Sequence, residues 1–261
     1  MSDVQPALFL GHGSPMLAIE PNRYADGWRQ LGRSLPRPRA ILAVSAHWYI
    51  GGTAVTAQSQ PRTIHDFYGF PPALYELSYP APGAPELAER ISDLLCDAGL
   101  QSTVDRRRGL DHGAWVPLML GWPEADIPVL QLSIQSHLGP AHHVQLGRAL
   151  APLREEDVLI IGSGSFTHDL RRFRGQALDA PEAPDVAAFS GWMDEALRSG
   201  RSCDLVTYRH KAPYAVAQHP TEEHLLPLFV ALGAGTPQGA AERLHSSAEY
   251  GVLRMDTYAF H

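Results

Sequence analysis

Cysteine is nearly missing. The 261 residues hold only Cys96 and Cys203, too few for a disulfide framework or a four-thiolate zinc site. That usage reads as a reducing, cytoplasmic compartment. A positive charge balance is missing too. Lys and Arg number 21 against 28 Asp and Glu, a formal charge of −7, so the chain lacks the overall positive field that draws proteins to nucleic acid. Its one basic cluster, Arg106–Arg108, reads as a solvated loop or an anion contact. Long apolar runs are absent: Leu225–Leu232 falls far short of a membrane span and contains Pro227. Met1–Leu10 has no basic stretch ahead of a long apolar one, so it does not read as a signal peptide. Neither nucleic acid nor membrane is expected as a partner.

Several short motifs are also absent. There is no HExxH for a zinc-protease helix and no GxSxG for a nucleophile elbow. There is no GxGxxG and no GxxxxGK[ST]. The GSGS at Gly162–Ser165 reads as a turn that lets backbone approach a site, since no lysine follows for phosphate. No repeat, low-complexity tract or linker-like shift in composition divides the chain, so residues 1–261 are expected to form one catalytic domain.

Apolar runs and helical patterns alternate along the chain, which argues for an α/β fold, a single domain with a central mixed sheet flanked by helices. Strands are expected at Ala7–Gly11, Ala40–Ala46, Thr53–Ala57, Pro128–Ile134, Val158–Ile161 and Leu253–Phe260. Helices are expected at Asn22–Leu35, where Tyr24, Trp28, Leu31 and Leu35 recur at helical spacing, and at Pro85–Ala98, Pro140–Leu153, Pro184–Leu197 and Thr221–Leu232, the last with Thr221 as N-cap. Pro61–Pro82 is a long aromatic and proline-rich connection, of the length that usually serves a site.

What the chain has in quantity is histidine, 13 in all. Three follow expected strands: His12 after ALFLG, His47 at the end of AILAVSA, and His168 after VLII and a Gly-Ser loop. Ligands of open α/β sheets gather beyond the carboxyl ends of strands, so these three can converge. His112 lies in DHGAW, His224 one turn into an expected helix, and His219 just before Pro220. His142 and His143 are adjacent on a helix and point apart, and His210, His245 and His261 have polar or terminal surroundings. Several neutral imidazoles without thiolates suit Zn, Fe, Cu or Ni.

The segments ALFLGHGSPM (Ala7–Met16), PRAILAVSAHW (Pro38–Trp48), TIHDFYGFP (Thr63–Pro71), LDHGAWVPL (Leu110–Leu118), GSGSFTHDL (Gly162–Leu170) and PTEEHLLPL (Pro220–Leu228) together resemble the DOPA 4,5-dioxygenase-type proteins of bacteria and plants, within the class III extradiol ring-cleavage dioxygenases. The resemblance runs from Ala7 to about Leu232. It implies a non-haem metal held by His12, His47 and His224, with His112 and His168 as active-site histidines. His168 is either a further ligand or an acid/base. Most of the class uses two histidines and a glutamate; here the third position is a histidine with Glu222 and Glu223 beside it, which favours retention of Zn(II), while Fe(II) is the ion that ring opening needs.

The implied reaction inserts O2 into a catechol, L-DOPA or a related one, giving a ring-opened semialdehyde. His168 takes the catechol proton and His112 hydrogen-bonds substrate or oxygen. Asp111 and Asp169 are the candidates for fixing histidine tautomers. His65 with Asp66, Phe67 and Tyr68 either lines the substrate entrance or anchors the long connection; Gln131, Ser133 and Tyr214 are further candidate substrate contacts. The rival readings are a zinc-dependent hydrolase using the same histidines and a histidine-rich metal-binding protein without catalysis; the second fits poorly with histidines dispersed at strand ends. A monomer or small homo-oligomer is expected.

Overall fold

The structure, a computed structural model, describes residues 4–20, 23–236 and 239–261, and of 23–25 the backbone alone. Its strands are β1 (Ala7–Gly11), β2 (Ala40–Tyr49), β3 (Thr53–Thr56), β4 (Ser102–Asp105), β5 (Val129–Ile134), β6 (Val158–Gly164), β7 (Glu242–His245), β8 (Ala248–Glu249), β9 (Leu253–Arg254) and β10 (Thr257–Phe260). Among the described residues one sheet runs β4-β3-β5-β2-β6-β1-β10-β7, and β8 pairs with β9 alone. Its centre, β5-β2-β6-β1, is parallel. The flank is antiparallel where β3 meets β5 and where β10 meets β1 and β7, so the sheet is mixed.

Short, wholly apolar runs such as VLII are stable only where both faces are covered. Alternation supplies two faces. Phe9, Leu42, Leu130 and Ile160 pack on one side with Ile91, Leu146, Phe189 and Phe229, and Leu8, Leu10, Ile41 and Ile161 pack on the other with Trp28, Trp115 and Leu118. Helices Pro85–Asp97, Gly139–Leu150, Pro184–Arg198 and Leu226–Ala234 therefore cover the first face, and Arg23–Ser34 and His112–Gly121 the second. The α/β expectation holds, and most element bounds fall within a few residues of those expected. Asn22 and the side chain of Tyr24 lie outside the described residues.

Four differences matter. The helix expected from Thr221 begins at Leu226; Thr221 donates to Glu223 instead of capping it, and Pro227 stands in the first turn. His224 thus precedes the helix. The GSGS segment is not a turn, because β6 continues through Gly164. Leu253–Phe260 is two strands in two sheets. His112–Gly121, unforeseen, is a helix with almost every residue buried, and a helix apolar all round shows no 3.6-residue period.

Candidate metal centre and active site

The carboxyl ends of the central strands deliver the histidines. His12 follows β1 directly, and its main-chain N–H donates to Gly164 O at 2.9 Å. His47 lies near the end of β2, within the irregular stretch where the register shifts between Val44 and Tyr49. His224 comes from the turns before Leu226–Ala234, and its carbonyl accepts from Ser165 N at 2.8 Å. A Cβ on Gly164 would stand 2.1 Å from His224 O, so only glycine lets that segment approach the sheet.

One nitrogen from each of His12, His47 and His224 lies within 4.8 Å of the others, and His12 Nε2 and His47 Nε2 are 3.1 Å apart. The outer nitrogens are backed by oxygens. His12 Nδ1 is 3.0 Å from Ser163 Oγ, whose own proton goes to Gly113 O. Ser163 therefore accepts from His12, leaving a lone pair on Nε2. His224 Nδ1 is 3.2 Å from Glu223 Oε1, and His47 Nδ1 is 3.8 Å from Asp66 Oδ2. Acceptors behind Nδ1 turn the Nε2 lone pairs inward. With His47 in the same tautomer as His12, the two facing lone pairs, 3.1 Å apart, would repel unless a cation joined them. The donor set fits a divalent transition ion.

The same packing keeps the rings neutral. Burial first, and then the neighbouring histidines, hold His12 and His224 well below the usual imidazole value. Burial and His112 lower His47 to about 4 against the opposing pull of Asp111 and Asp66. Neutral imidazoles are what a metal requires.

The main chain of His47 is held at both ends, its N–H donating to Ser45 Oγ at 3.1 Å and its carbonyl accepting from Arg108 at 3.3 Å. Both partners converge on the fully buried Asp111, which accepts from Ser45 at 2.6 Å, Arg108 at 3.0 Å and Gln131 at 2.8 Å. Arg108 also lies over the Trp48 ring, so one member of the basic cluster belongs to the frame of the site.

His112 and His168 flank the three. The His112 ring centre is 3.9 Å from that of His47, and the His168 ring stacks on His224 at 3.4 Å and 9°. His168 is anchored by its N–H to Gln218 O at 2.8 Å; burial lowers its proton affinity, with Glu223 and Asp169 opposing.

Other expected positions are redistributed. Asp111 serves the frame and Asp169 pairs with Arg171 at 2.7 Å; what stands beside His112 Nδ1, at 3.0 Å, is Asp66 Oδ1. Gln131 and Ser133 are fully buried, so their expected substrate contact gives way to internal roles. Gln131 clamps Asp111, while Ser133 binds Ala54 N and Gly52 O. His65 binds Leu77 O at 3.1 Å and packs against Phe67, Tyr75 and Trp115, which anchors the long connection. Tyr68 is 91% exposed, and Tyr214 is exposed with a left-handed φ of 57°. Sequence reasoning missed Ser163, Glu223 and Asp66 as partners of the histidines. Adjacency in sequence suggested the wrong acids, because neighbouring side chains diverge, and no local signal marks Ser163.

A mixed α/β sheet with imidazoles gathered beyond its parallel strands, three of them with nitrogens within 4.8 Å of one another, fits a non-haem metal-dependent enzyme. Residues 6–260 match the family described as the catalytic LigB subunit of aromatic ring-opening dioxygenase, and the chain belongs to that family, within the class III extradiol dioxygenases. It is 46% identical to the 4,5-DOPA dioxygenase extradiol of Beta vulgaris, over 99% of this chain and 97% of the relative. It is 44% identical to that of Escherichia coli K12, over 96% and 92%. A crystal structure of an uncharacterized Escherichia coli K12 protein superimposes with a TM-score of 0.83 at 38% identity, covering 98% of this chain and all of the other. The chain is thus an aromatic ring-opening dioxygenase with a histidine-rich metal site.

Proposed function

We propose that residues 1–261 act as one catalytic domain that opens the ring of L-DOPA or a related catechol beside a catecholic hydroxyl, giving a semialdehyde. The observation that carries this reading is the grouping of five histidines, with His12, His47 and His224 as ligands and the His112 and His168 rings 3.9 and 3.4 Å from His47 and His224. His12, His47 and His224 would hold Fe(II), which would supply the redox chemistry with O2 that Zn(II) cannot; Zn(II) would fit the same donors without supporting turnover. His168, kept neutral by burial, accepts a proton from the catechol and returns one later. His112 hydrogen-bonds the substrate or the oxygen. Tyr68 follows Phe67, whose ring packs 5.6 Å from that of His112, and remains the candidate substrate contact. The exposed free thiols of Cys96 and Cys203 suit a cytoplasmic setting.

The test is anaerobic loading with Fe(II), then addition of L-DOPA and a panel of catechols with O2. A yellow ring-opened product with equimolar oxygen uptake is expected, and none from Zn(II)-loaded protein. Failure of the Fe(II) form to consume any catechol sinks the reading. Hydrolysis by the Zn(II) form in its place would make the protein a hydrolase.

A further inference from the structure

Asp66 lies in the long connection before Pro82 and is the residue that ties that connection to His112. One carboxylate oxygen, Oδ1, accepts the main-chain N–H of His112 at 2.9 Å and stands 3.0 Å from its ring Nδ1. A single atom therefore bonds the backbone and stands against the ring of the same residue, the ring nitrogen being close but not aligned for a hydrogen bond. The other oxygen faces His47 Nδ1 at 3.8 Å. A carboxylate accepts hydrogen bonds and offers none, so a ring nitrogen 3.0 Å from it is favoured to carry the proton, which leaves the opposite one, Nε2, free.

Asp111, next in sequence, is occupied by Ser45, Arg108 and Gln131. The connection is itself fixed, since Ile64 N donates to Leu110 O at 2.7 Å, Trp115 Nε1 donates to Ile64 O at 2.9 Å, and Phe67 packs on the His112 ring.

We propose that Asp66 is the positioning residue that orients His112, placing the proton on Nδ1 and leaving Nε2 to serve the substrate. This rests on the reading of His112 as the substrate-facing histidine. A carboxylate behind an imidazole fixes its tautomer and stabilises it whenever Nε2 takes up a proton.

The test uses Asp66→Asn and Asp66→Glu in full-length protein with ring-labelled histidine. The Zn(II)-loaded form is read by nitrogen NMR, and the Fe(II)-loaded form by catechol turnover. D66N keeps an oxygen for the main-chain N–H but loses the charge. Its His112 signal is expected to leave the Nδ1–H tautomer, with kcat down about 10–100-fold, KM within about threefold and stoichiometric zinc at saturation. D66E, which keeps the charge, is expected to retain the Nδ1–H signal and recover most of kcat; it serves as the decisive variant should D66N fail to fold. A wild-type ring signal in D66N overturns the proposal, and so does a shifted signal with unchanged kcat. His112→Ala at wild-type turnover would remove the reading of His112 itself, whatever the ring signal in D66N.

Discussion

Ser163 decides which nitrogen of His12 faces the cluster, because its single proton is already given to Gly113 O. Ser163→Ala removes the acceptor behind His12 and is expected to weaken zinc binding about 10–100-fold, read by competition with a chromophoric chelator, while thermal stability stays close to wild type. His12→Ala, His47→Ala or His224→Ala should each abolish stoichiometric metal at micromolar concentration. His168→Ala and His112→Ala should keep the metal and lose turnover. Metal content unchanged in His12→Ala would refute the ligand set. At this scale the five histidines could be named from short segments, since each stands in a distinctive string such as SAHW or DHGAW. Their partners could not. Glu223 touches its own neighbour, but Ser163 meets His12 across the sheet and Asp66 meets His112 from a separate connection. For His12 and His112, nothing local in the sequence records which group lies behind the ring.

Among elements, β6 carries a tight constraint at the site. Its last residue leaves no room for a Cβ, which would lie 2.1 Å from His224 O. Gly164→Ala is therefore expected to displace the His224 segment, destabilising the fold by about 1–3 kcal/mol and weakening metal binding, checked by a urea midpoint and a zinc titration on the same preparation. A loss of stability with full metal affinity would show that the segment moves without moving the ligand. The interior strands were legible because they are buried apolar runs. The edge strands β4 and β7 were not, since STVD and ERLH are partly exposed and polar and give no alternating pattern. His112–Gly121 escaped for the opposite reason, being apolar on every side with Pro117 inside it. Both failures arise where burial, and not local propensity, decides the element.

For the whole molecule, buried neutral histidines set the response to acid. His143 accepts from Gln135 N at 3.2 Å, and its other nitrogen lies 2.7 Å from Gly139 O, so the ring is neutral with its proton on Nδ1. Burial lowers it to about 4, and burial lowers His219 likewise to about 4. Each folded value lies below the unfolded one, so the unfolded chain takes up protons first. The stability these two residues contribute is complete above about pH 6.5 and drains away as pH falls towards 4, by roughly 3 kcal/mol each. Urea midpoints between pH 7.5 and 4.5 measure it, and His143→Gln should flatten the profile. A midpoint that rises towards pH 4.5 would contradict the assignment. The three proposed ligands come from β1, β2 and a turn late in the chain, brought together by the β1–β6 pairing and by Ser165 holding His224. A growing chain on the ribosome therefore holds no complete set of these three proposed donors until the segment bearing His224 has emerged, so a site built from them can only be completed late in synthesis.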